Sequence, residues 1–459
     1  MSASKHTVAI IGGGFCGVMA AVQLLRISKN ELSILLFEAA NEVGRGVAYS
    51  SYTSGHLLNV PARNMSAFPD QSGDFVDWLR QQADYSNFSK EEIGQLFVPR
   101  ILFGNYIQDL FNREISNRTT TVNIIAQRVI ACRKSEDDYL LQTAEGQIFS
   151  ADKVVIATGN FLPGKPKGIP HSFTGSNRYF KNPWDPSAVN VTDEKIPVLI
   201  AGTGLTMVDV VIGLMEKRPQ QKIIAISPKG YEILSHKHYG NHPAILEELH
   251  PPYQLDQLVK IFRKHIQAVW KRGITGEAVV DAVRSKTQEI WRALTMEEKK
   301  RFLSHLRHLW GLARHRLPAG IHSLIRQLRE RGQLNIIAGR IIDAHEDGSS
   351  VIVTYLERKT NTFKEIRVSR IINCTGPQTD VLRLNDPLFK QLYEDGMITP
   401  DLLGMGIRCD EYCHPINKNG SISPNLFAMG SLLKGDRWES TAVPELRVQA
   451  RQIAELLAK

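Results

Sequence analysis

The stretch Thr7-Val8-Ala9-Ile10-Ile11-Gly12-Gly13-Gly14-Phe15-Cys16-Gly17-Val18-Met19-Ala20-Ala21 decides the fold. Apolar residues give a short buried strand, glycines spaced GxGxxG give a turn, and a run of small residues gives a helix. Gly12 is expected to permit the tight turn, Gly14 to let the backbone approach a pyrophosphate, and Gly17 to let helix and strand pack closely. Gly13, Phe15 and Cys16 fill the turn, and the helix N-terminus offers its N–H groups to phosphates. The next apolar run, Leu32-Ser33-Ile34-Leu35-Leu36-Phe37, ends in Glu38. An acid about 20 residues beyond the glycines accepts ribose hydroxyls. Glycine-rich turns alone have many uses, but strand, glycines, helix, strand and acid in register define a dinucleotide site.

The chain then repeats itself. Val198-Leu199-Ile200-Ala201-Gly202-Thr203-Gly204-Leu205-Thr206-Met207-Val208-Asp209 is a second strand–glycine–helix unit, with Met207 where the third glycine would stand. That replacement loosens helix packing and leaves the phosphate-facing Gly202 and Gly204, with Thr206 in the first helical turn. The following strand, Lys222-Ile223-Ile224-Ala225-Ile226, ends in Ser227-Pro228-Lys229 and not in an acid. A hydroxyl and the Lys229 cation suit a 2′-phosphate and leave no carboxylate to repel it, which favours NADPH over NADH. Downstream, Arg128–Cys132 through Ala151–Gly159 and Gly339–Asp343 through Arg370–Gly376 each read as a β-meander followed by a buried strand. The first ends in Ala157-Thr158-Gly159 and the second in Cys374-Thr375-Gly376. Alternation in Tyr139-Leu140-Leu141-Gln142-Thr143 and Val351-Ile352-Val353-Thr354-Tyr355 supports meander strands in both. Two such units suit a chain that holds a flavin in one and a nicotinamide cofactor in the other.

Composition bounds the rest. The 459 residues allow two or three domains, and 42% hydrophobic with 22% charged residues is ordinary for a globular protein. No apolar run approaches the roughly 20 residues of a membrane span. The first strand begins too close to Met1 to leave room for a signal peptide, and five cysteines make no disulfide framework. A cytoplasmic protein is expected. Between Lys237 and Gly332 there are 18 Lys and Arg against 9 Asp and Glu, an excess as large as the whole chain's +9. With no aromatic-basic interleaving and no RNA- or DNA-binding motif, this reads as a solvated helical face, and no nucleic-acid partner is expected.

These residues resemble the two-dinucleotide-domain flavoproteins, in the broad group of flavin-containing and N-hydroxylating monooxygenases, and within it a bacterial family of FAD/NAD(P)-binding proteins. The segments Gly44-Arg45-Gly46-Val47-Ala48-Tyr49-Ser50, His56-Leu57-Leu58-Asn59-Val60-Pro61-Ala62, Met65-Ser66-Ala67-Phe68-Pro69-Asp70 and Gly430 through Arg447 carry the likeness. It implies FAD in the first unit, with Gly12, Gly14 and Gly17 at the pyrophosphate and Glu38 on the ribose. It puts Arg45 and Gly46 along the pyrophosphate and ribityl chain, the Val129 backbone at the adenine, and Thr158 and Gly159 over the FAD. Leu426-Phe427-Ala428-Met429-Gly430 resembles the late strand that meets the isoalloxazine. Gly430 and Thr441 then lie at the flavin, and the following helix, opened by Pro444, aims its N-terminus there. Gly376 plays the part of Gly159 in the NADPH unit. Asn59 resembles the asparagine that flavin-containing monooxygenases place beside the flavin, and is the one catalytic candidate; a turn asparagine is the competing reading.

The fold class expected is α/β, with two Rossmann-like dinucleotide-binding domains of the three-layer ββα type, β-meanders and a helical insertion. The FAD part would span 1–190 and 377–459, the NADPH part 191–235 and 333–376, and the insertion 236–332. Gln254–Phe262 and Ile321–Leu328 show helical apolar spacing there. The likeness extends through Trp291, Trp310 and Arg314-His315-Arg316-Leu317-Pro318. The implied activity is an FAD-dependent, NADPH-linked monooxygenase acting on a small nucleophilic N or S substrate, with molecular oxygen as co-substrate, through a flavin C4a-adduct. A reductase or dehydrogenase without oxygen insertion and a flavin-bound redox-switch binding protein stay as alternatives. Nine histidines between His236 and His322, among them His236-Lys237-His238 and His305-x-x-His308, lack the acid or cysteine partners of a metal site, and no metal is expected. Arg314-His315-Arg316 reads as a helix C-terminal charge cluster or an anion contact. Cys409 and Cys413 are not spaced as a redox CxxC pair. The sequence names neither the substrate nor the oligomeric state.

Overall fold

A computed structural model describes residues 6–28, 32–40, 42–116, 120–191, 193–237, 240 and 242–459. Contacts divide the chain into two compact units: Met1–Ser54 with Val60–Phe161 and Gln378–Lys459, and Gly55–Asn59 with Leu162–Pro377.

The first unit is built on a five-stranded parallel sheet. Its order is Leu426–Ala428, Lys153–Ile156, His6–Ile11, Leu32–Phe37 and Thr121–Ile125. Parallel sheets are covered on both faces, so their strands are near-continuous apolar runs. Accordingly Val8 to Ile11 and Ile34 to Phe37 are buried. The helix Phe15–Ile27 packs with Arg100–Ser116 and with the C-terminal helix Val443–Leu457. Ile10 is fully buried, and truncating such a residue to alanine costs about 2–5 kcal/mol. A separate antiparallel sheet of Val129–Lys134, Tyr139–Thr143 and Ile148–Ala151 is the first meander.

The second unit repeats the plan with one change. Its seven-stranded sheet runs Phe363–Val368, Ser350–Glu357, Leu334–Asp347, Ile223–Ser227, Val198–Ala201, Ile371–Asn373, Tyr179–Phe180. Leu334–Asp347 is a single strand that pairs parallel with Ile223–Ser227 up to Ala338, then antiparallel with Ser350–Glu357 from Gly339 onward. In the first unit the same role is split between Thr121–Ile125 and Val129–Lys134. Gly339 sits at the changeover, where a Cβ would stand 2.9 Å from the Leu356 carbonyl oxygen, so the absence of a side chain lets the strand run through.

Two boundaries differ from the sequence expectation. Residues 162–190 belong to the second unit, because Tyr179-Phe180 pair with Ile371-Ile372 and close its sheet edge. The helix Ala319–Glu330, assigned from sequence to the insertion, is the crossover between the parallel strands Ile223–Ser227 and Leu334–Asp347. Parallel strands require such a connection. The rest of the insertion is helical: Leu255–Trp270, Glu277–Ala282, Thr287–Ala293, Met296–His305 and Arg307–Arg314. Among the described residues no helix is long and apolar enough to cross a membrane.

Candidate functional site

Each glycine turn is locked by one backbone crossing. Gly12 has φ +109°, and a Cβ there would stand 2.5 Å from the carbonyl oxygen of Ala157 at the end of the returning strand. Gly202 has φ +115°, and its Cβ would stand 2.3 Å from the carbonyl oxygen of Cys374. A side chain is excluded at both by conformation and by space. Gly17 is excluded by closeness alone, since a Cβ would lie 1.8 Å from the Gly12 carbonyl oxygen. The helices that follow begin without a side-chain cap, at Gly14 and at Gly204. Their first-turn N–H groups, those of Phe15 and Cys16 in one and Leu205 and Thr206 in the other, are left for a ligand.

Around the first turn the expected residues converge. The Glu38 carboxylate accepts the Gly13 N–H at 2.8 Å through Oε2 and the Ala40 N–H at 2.9 Å through Oε1. A carboxylate has about four acceptor positions, so two remain for ribose hydroxyls. Gly46 faces Gly14 closely enough that a Cβ at Gly46 would reach the Gly14 Cα at 3.2 Å. Arg45 is held in place by Gln108 Oε1 at 3.1 Å, Glu42 Oε2 at 3.1 Å and Asn105 Oδ1 at 2.8 Å. Two of its five N–H donors are then left over. Val129 opens its strand four residues after Ile125, whose carbonyl accepts the Glu38 N–H. The Thr158 Oγ1 is buried with no hydrogen-bond partner among the described residues. Such an atom costs about 1–3 kcal/mol unless a ligand group meets it, so the residues around this turn fit a cofactor with polar edges.

The C-terminal segment closes on the same turn through contacts the sequence reading missed. Ser431 Oγ donates to the Gly159 carbonyl at 2.7 Å. Gly430 is pinned by Gln449 Oε1, which accepts its N–H at 2.7 Å, and by Ser440 Oγ, which donates to its carbonyl at 3.0 Å. A Cβ at Gly430 would stand 3.0 Å from Cys16 Sγ. Gln449 left a readable trace: it lies on the apolar stripe Leu446, Ala450, Ile453, where a buried amide needs a polar partner. Thr441 is exposed beside Glu439, a non-glycine residue with φ +69°. Pro444 stands in the first turn of the final helix, as expected.

Asn59 lies in the short segment Gly55–Asn59 that belongs to the second unit. Two histidines tether it. His236 Nε2 donates to the Asn59 carbonyl at 2.9 Å, and the buried His56 donates through Nε2 to the Asp209 carbonyl at 2.9 Å. A ring nitrogen bonded to a carbonyl must carry the proton, which fixes both tautomers. Neither histidine was singled out from sequence for this role, and no local pattern marks them.

In the second turn, Ser227 holds its own backbone. Its Oγ accepts the Gly230 N–H at 3.0 Å and bonds Thr203 Oγ1 at 3.0 Å. Lys229 is exposed, as is His308, which partial desolvation first, and then the charges of Arg307 and Lys229, hold below the usual histidine value. Gly376 has φ +90° with open space where a Cβ would sit, as Gly159 has. Arg314 and Arg316 are both bound by Asp281, at 3.3 and 2.6 Å, so they brace helix Arg307–Arg314 against Glu277–Ala282. His238 lies outside the described residues. Among the described residues no group of three His, Cys, Asp or Glu side chains is placed to hold a metal ion.

All five cysteines are free and buried. Burial pushes the Cys16 and Cys132 thiols up to about 12, and holds Cys374 and Cys409 well above the usual range. These are inert thiols, not a redox pair.

The architecture defines a protein with two dinucleotide-binding domains, each presenting a glycine turn at the carboxyl ends of a parallel sheet. Residues 9–161 match a family model described as FAD-NAD(P)-binding. Along nearly its whole length the fold is similar to that of ornithine N-hydroxylase from Kutzneria sp. 744, solved with reduced FAD, NADP+ and L-ornithine. That match has 17% identity, covers 98% of each chain and gives a TM-score of 0.68. L-lysine 6-monooxygenase from Pseudomonas syringae is similar at 15% identity, 99% of each chain and a TM-score of 0.67. A bacillithiol disulfide reductase from Bacillus cereus is similar at 14% identity, 99% of each chain and a TM-score of 0.52. No curated protein matches the chain.

Proposed function

We propose that this chain is an FAD-dependent, NADPH-linked oxidoreductase of the monooxygenase type, acting on a nucleophilic nitrogen or sulfur of a small molecule. The observation that carries this reading is the repeated crossing, in which Gly12 and Gly202 meet the carbonyls of Ala157 and Cys374 in the same way. A protein with one nucleotide cofactor needs one such turn. FAD, when bound, supplies two-electron chemistry between NADPH and an acceptor, molecular oxygen included. The likeness to an ornithine N-hydroxylase and a lysine 6-monooxygenase supports nitrogen as the atom attacked.

The residues divide the work between binding and orientation. The uncapped amides of the Gly12–Gly17 turn hold the FAD pyrophosphate, and Glu38 takes the ribose hydroxyls with its remaining lone pairs. Arg45, already fixed by three partners, offers its last N–H groups without paying rotamer entropy on binding. Gly46, Val129, Thr158, Gly159, Gly430 and Thr441 line the rest of that pocket. Gly202, Gly204, Thr206, Lys229 and Gly376 hold NADPH, with Lys229 on the 2′-phosphate. Asn59 is the catalytic candidate, and the His236 bond to its main-chain carbonyl fixes the backbone from which its side chain projects.

The test is to purify the protein, reconstitute it with FAD and follow NADPH oxidation with and without oxygen, using ornithine, lysine and cadaverine as probe amines. A yellow protein with oxygen-dependent, amine-stimulated NADPH consumption supports the proposal. Rapid anaerobic turnover with an artificial acceptor and no hydroxylated amine supports the reductase alternative. A protein that cannot be loaded with FAD overturns both.

A further inference from the structure

A cavity of about 340 Å³ in the second unit is lined by Asn177, Arg178, Glu346, Gly348, Ser369 and Arg370. Arg178 immediately precedes the strand Tyr179–Phe180 and Arg370 precedes Ile371–Asn373. These strands are parallel, so both arginines stand at their amino-terminal ends. The Cys374 carbonyl that meets Gly202 is at the other end, about 13 Å from Arg370 at 3.3 Å per residue of strand. Cofactors of open α/β sheets bind at the carboxyl ends, so this cavity is apart from the nucleotide turn.

Neither arginine has a carboxylate within ion-pairing distance among the described residues. Arg178 Nη1 donates to the Ser369 carbonyl at 3.1 Å. Arg370 Nη1 donates to the carbonyls of Ser187 and Ala188 at 2.9 and 3.2 Å, and its guanidinium lies 4.9 Å over the Phe180 ring. Arg370 Nε is buried without an acceptor among the described residues. Burial first and Arg178 second hold the Arg370 guanidinium below its usual value, a strain that an anion relieves. The third charged group, Glu346, accepts a hydrogen bond from Ser176 Oγ, so the lining carries one net positive charge. Gly348, with φ +57° in the hairpin turn, has open space where a Cβ would sit.

We propose that this cavity binds a small oxyanion of the phosphate class, free or as a monoester, held by Arg178 and Arg370. Guanidinium groups match tetrahedral oxyanions in charge and in the spacing of their N–H donors. Glu346 adds selectivity, because a carboxylate beside the anion demands a proton on it. Inorganic phosphate carries a P–OH near neutral pH and a monoester carries one as its monoanion, whereas sulfate carries none.

Isothermal titration of the full chain with inorganic phosphate, glycerol 3-phosphate and sulfate tests this. Saturable phosphate or ester binding is expected, with sulfate weaker by about tenfold or more, the size of one charge-assisted hydrogen bond. The tighter of phosphate and ester identifies the source, and either supports the site. R178Q and R370Q should each weaken binding by about tenfold or more while leaving NADP+ affinity unchanged. Because R370Q also removes a ring contact and two backbone bonds, Gly348→Asp serves as the second variant. It keeps both arginines, suits a left-handed turn and fills the space with a carboxylate, and so should abolish binding. The absence of saturable binding, binding unchanged in R178Q and Gly348→Asp, or competitive displacement by NADP+ would overturn the proposal.

Discussion

Alanine at Gly202 and alanine at Gly204 should fail in opposite ways. At Gly202 the methyl meets the Cys374 carbonyl oxygen at 2.3 Å, from a backbone with φ +115°. Holding an alanine at this positive φ costs roughly 1–2 kcal/mol, and overpacking adds roughly 1–3 kcal/mol. The sum of about 2–5 kcal/mol corresponds to a melting temperature lowered by roughly 5–15 °C for a unit of this size. At Gly204 the backbone is ordinary, with φ −87° and ψ −171°, and no atom lies within 4 Å of the added methyl. Stability should change by under about 1 kcal/mol, the difference between glycine and alanine at an N-cap. The methyl instead occupies the space where a pyrophosphate approaches the helix amides, so the KM for NADPH should rise about tenfold or more. Thermal unfolding followed by circular dichroism reads the first effect, and steady-state NADPH oxidation reads the second. A Gly204→Ala protein with wild-type KM would refute the nucleotide placement. A Gly202→Ala protein with unchanged melting would refute the backbone crossing itself.

Lys229→Ala should raise the KM for NADPH by about tenfold and leave that for NADH unmoved, since only one carries the phosphate; equal effects on both would remove Lys229 from the 2′-site. Glu38→Gln should weaken FAD retention by about 1–2 kcal/mol in a dialysis titration, because an amide cannot accept as many hydrogen bonds while also holding the Gly13 N–H. The raised pKa of about 12 at Cys16 and Cys132 keeps both as neutral thiols at pH 8, and they become reactive only above it or on unfolding. A thiol reagent at pH 8 should therefore find no fast-reacting cysteine until denaturant exposes all five, and a fast native pair would contradict the burial. Asp281→Asn should cost roughly 2–4 kcal/mol in urea unfolding, since Arg314 and Arg316 lose their shared counter-charge.

The nucleotide turns were legible because their requirements are backbone ones. A glycine that must cross a carbonyl leaves a glycine in the sequence, and both turns, their strands and both meanders were read in place. The insertion helices Leu255–Trp270 and Ala319–Glu330 were legible through apolar spacing. The topological role of Ala319–Glu330 was not, because crossover and insertion helices share that spacing. Residues 162–190 were misassigned because the two-residue strand Tyr179-Phe180 is too short to show alternation, and only its pairing with Ile371-Ile372 reveals the sheet it joins. Histidine tethers at His56 and His236 were hidden for another reason. Each donates to a main-chain carbonyl far away in sequence, and a carbonyl has no residue identity to read. Ser227 shows the converse. A hydroxyl at a strand end reads as a phosphate contact, and the structure adds that it also holds its own turn.

The two glycine crossings also bear on how such a chain drifts over generations. Each presses a residue without a side chain against a peptide oxygen, so substitution is costly on one partner and unconstrained by this contact on the other. Ala157 and Cys374 already differ, though they occupy matching posts in the two halves. Two units constrained in this way can share few letters and still keep the same turn. The fixed points that remain are sparse and punctuation-like, and the likeness of the two turns is read from them.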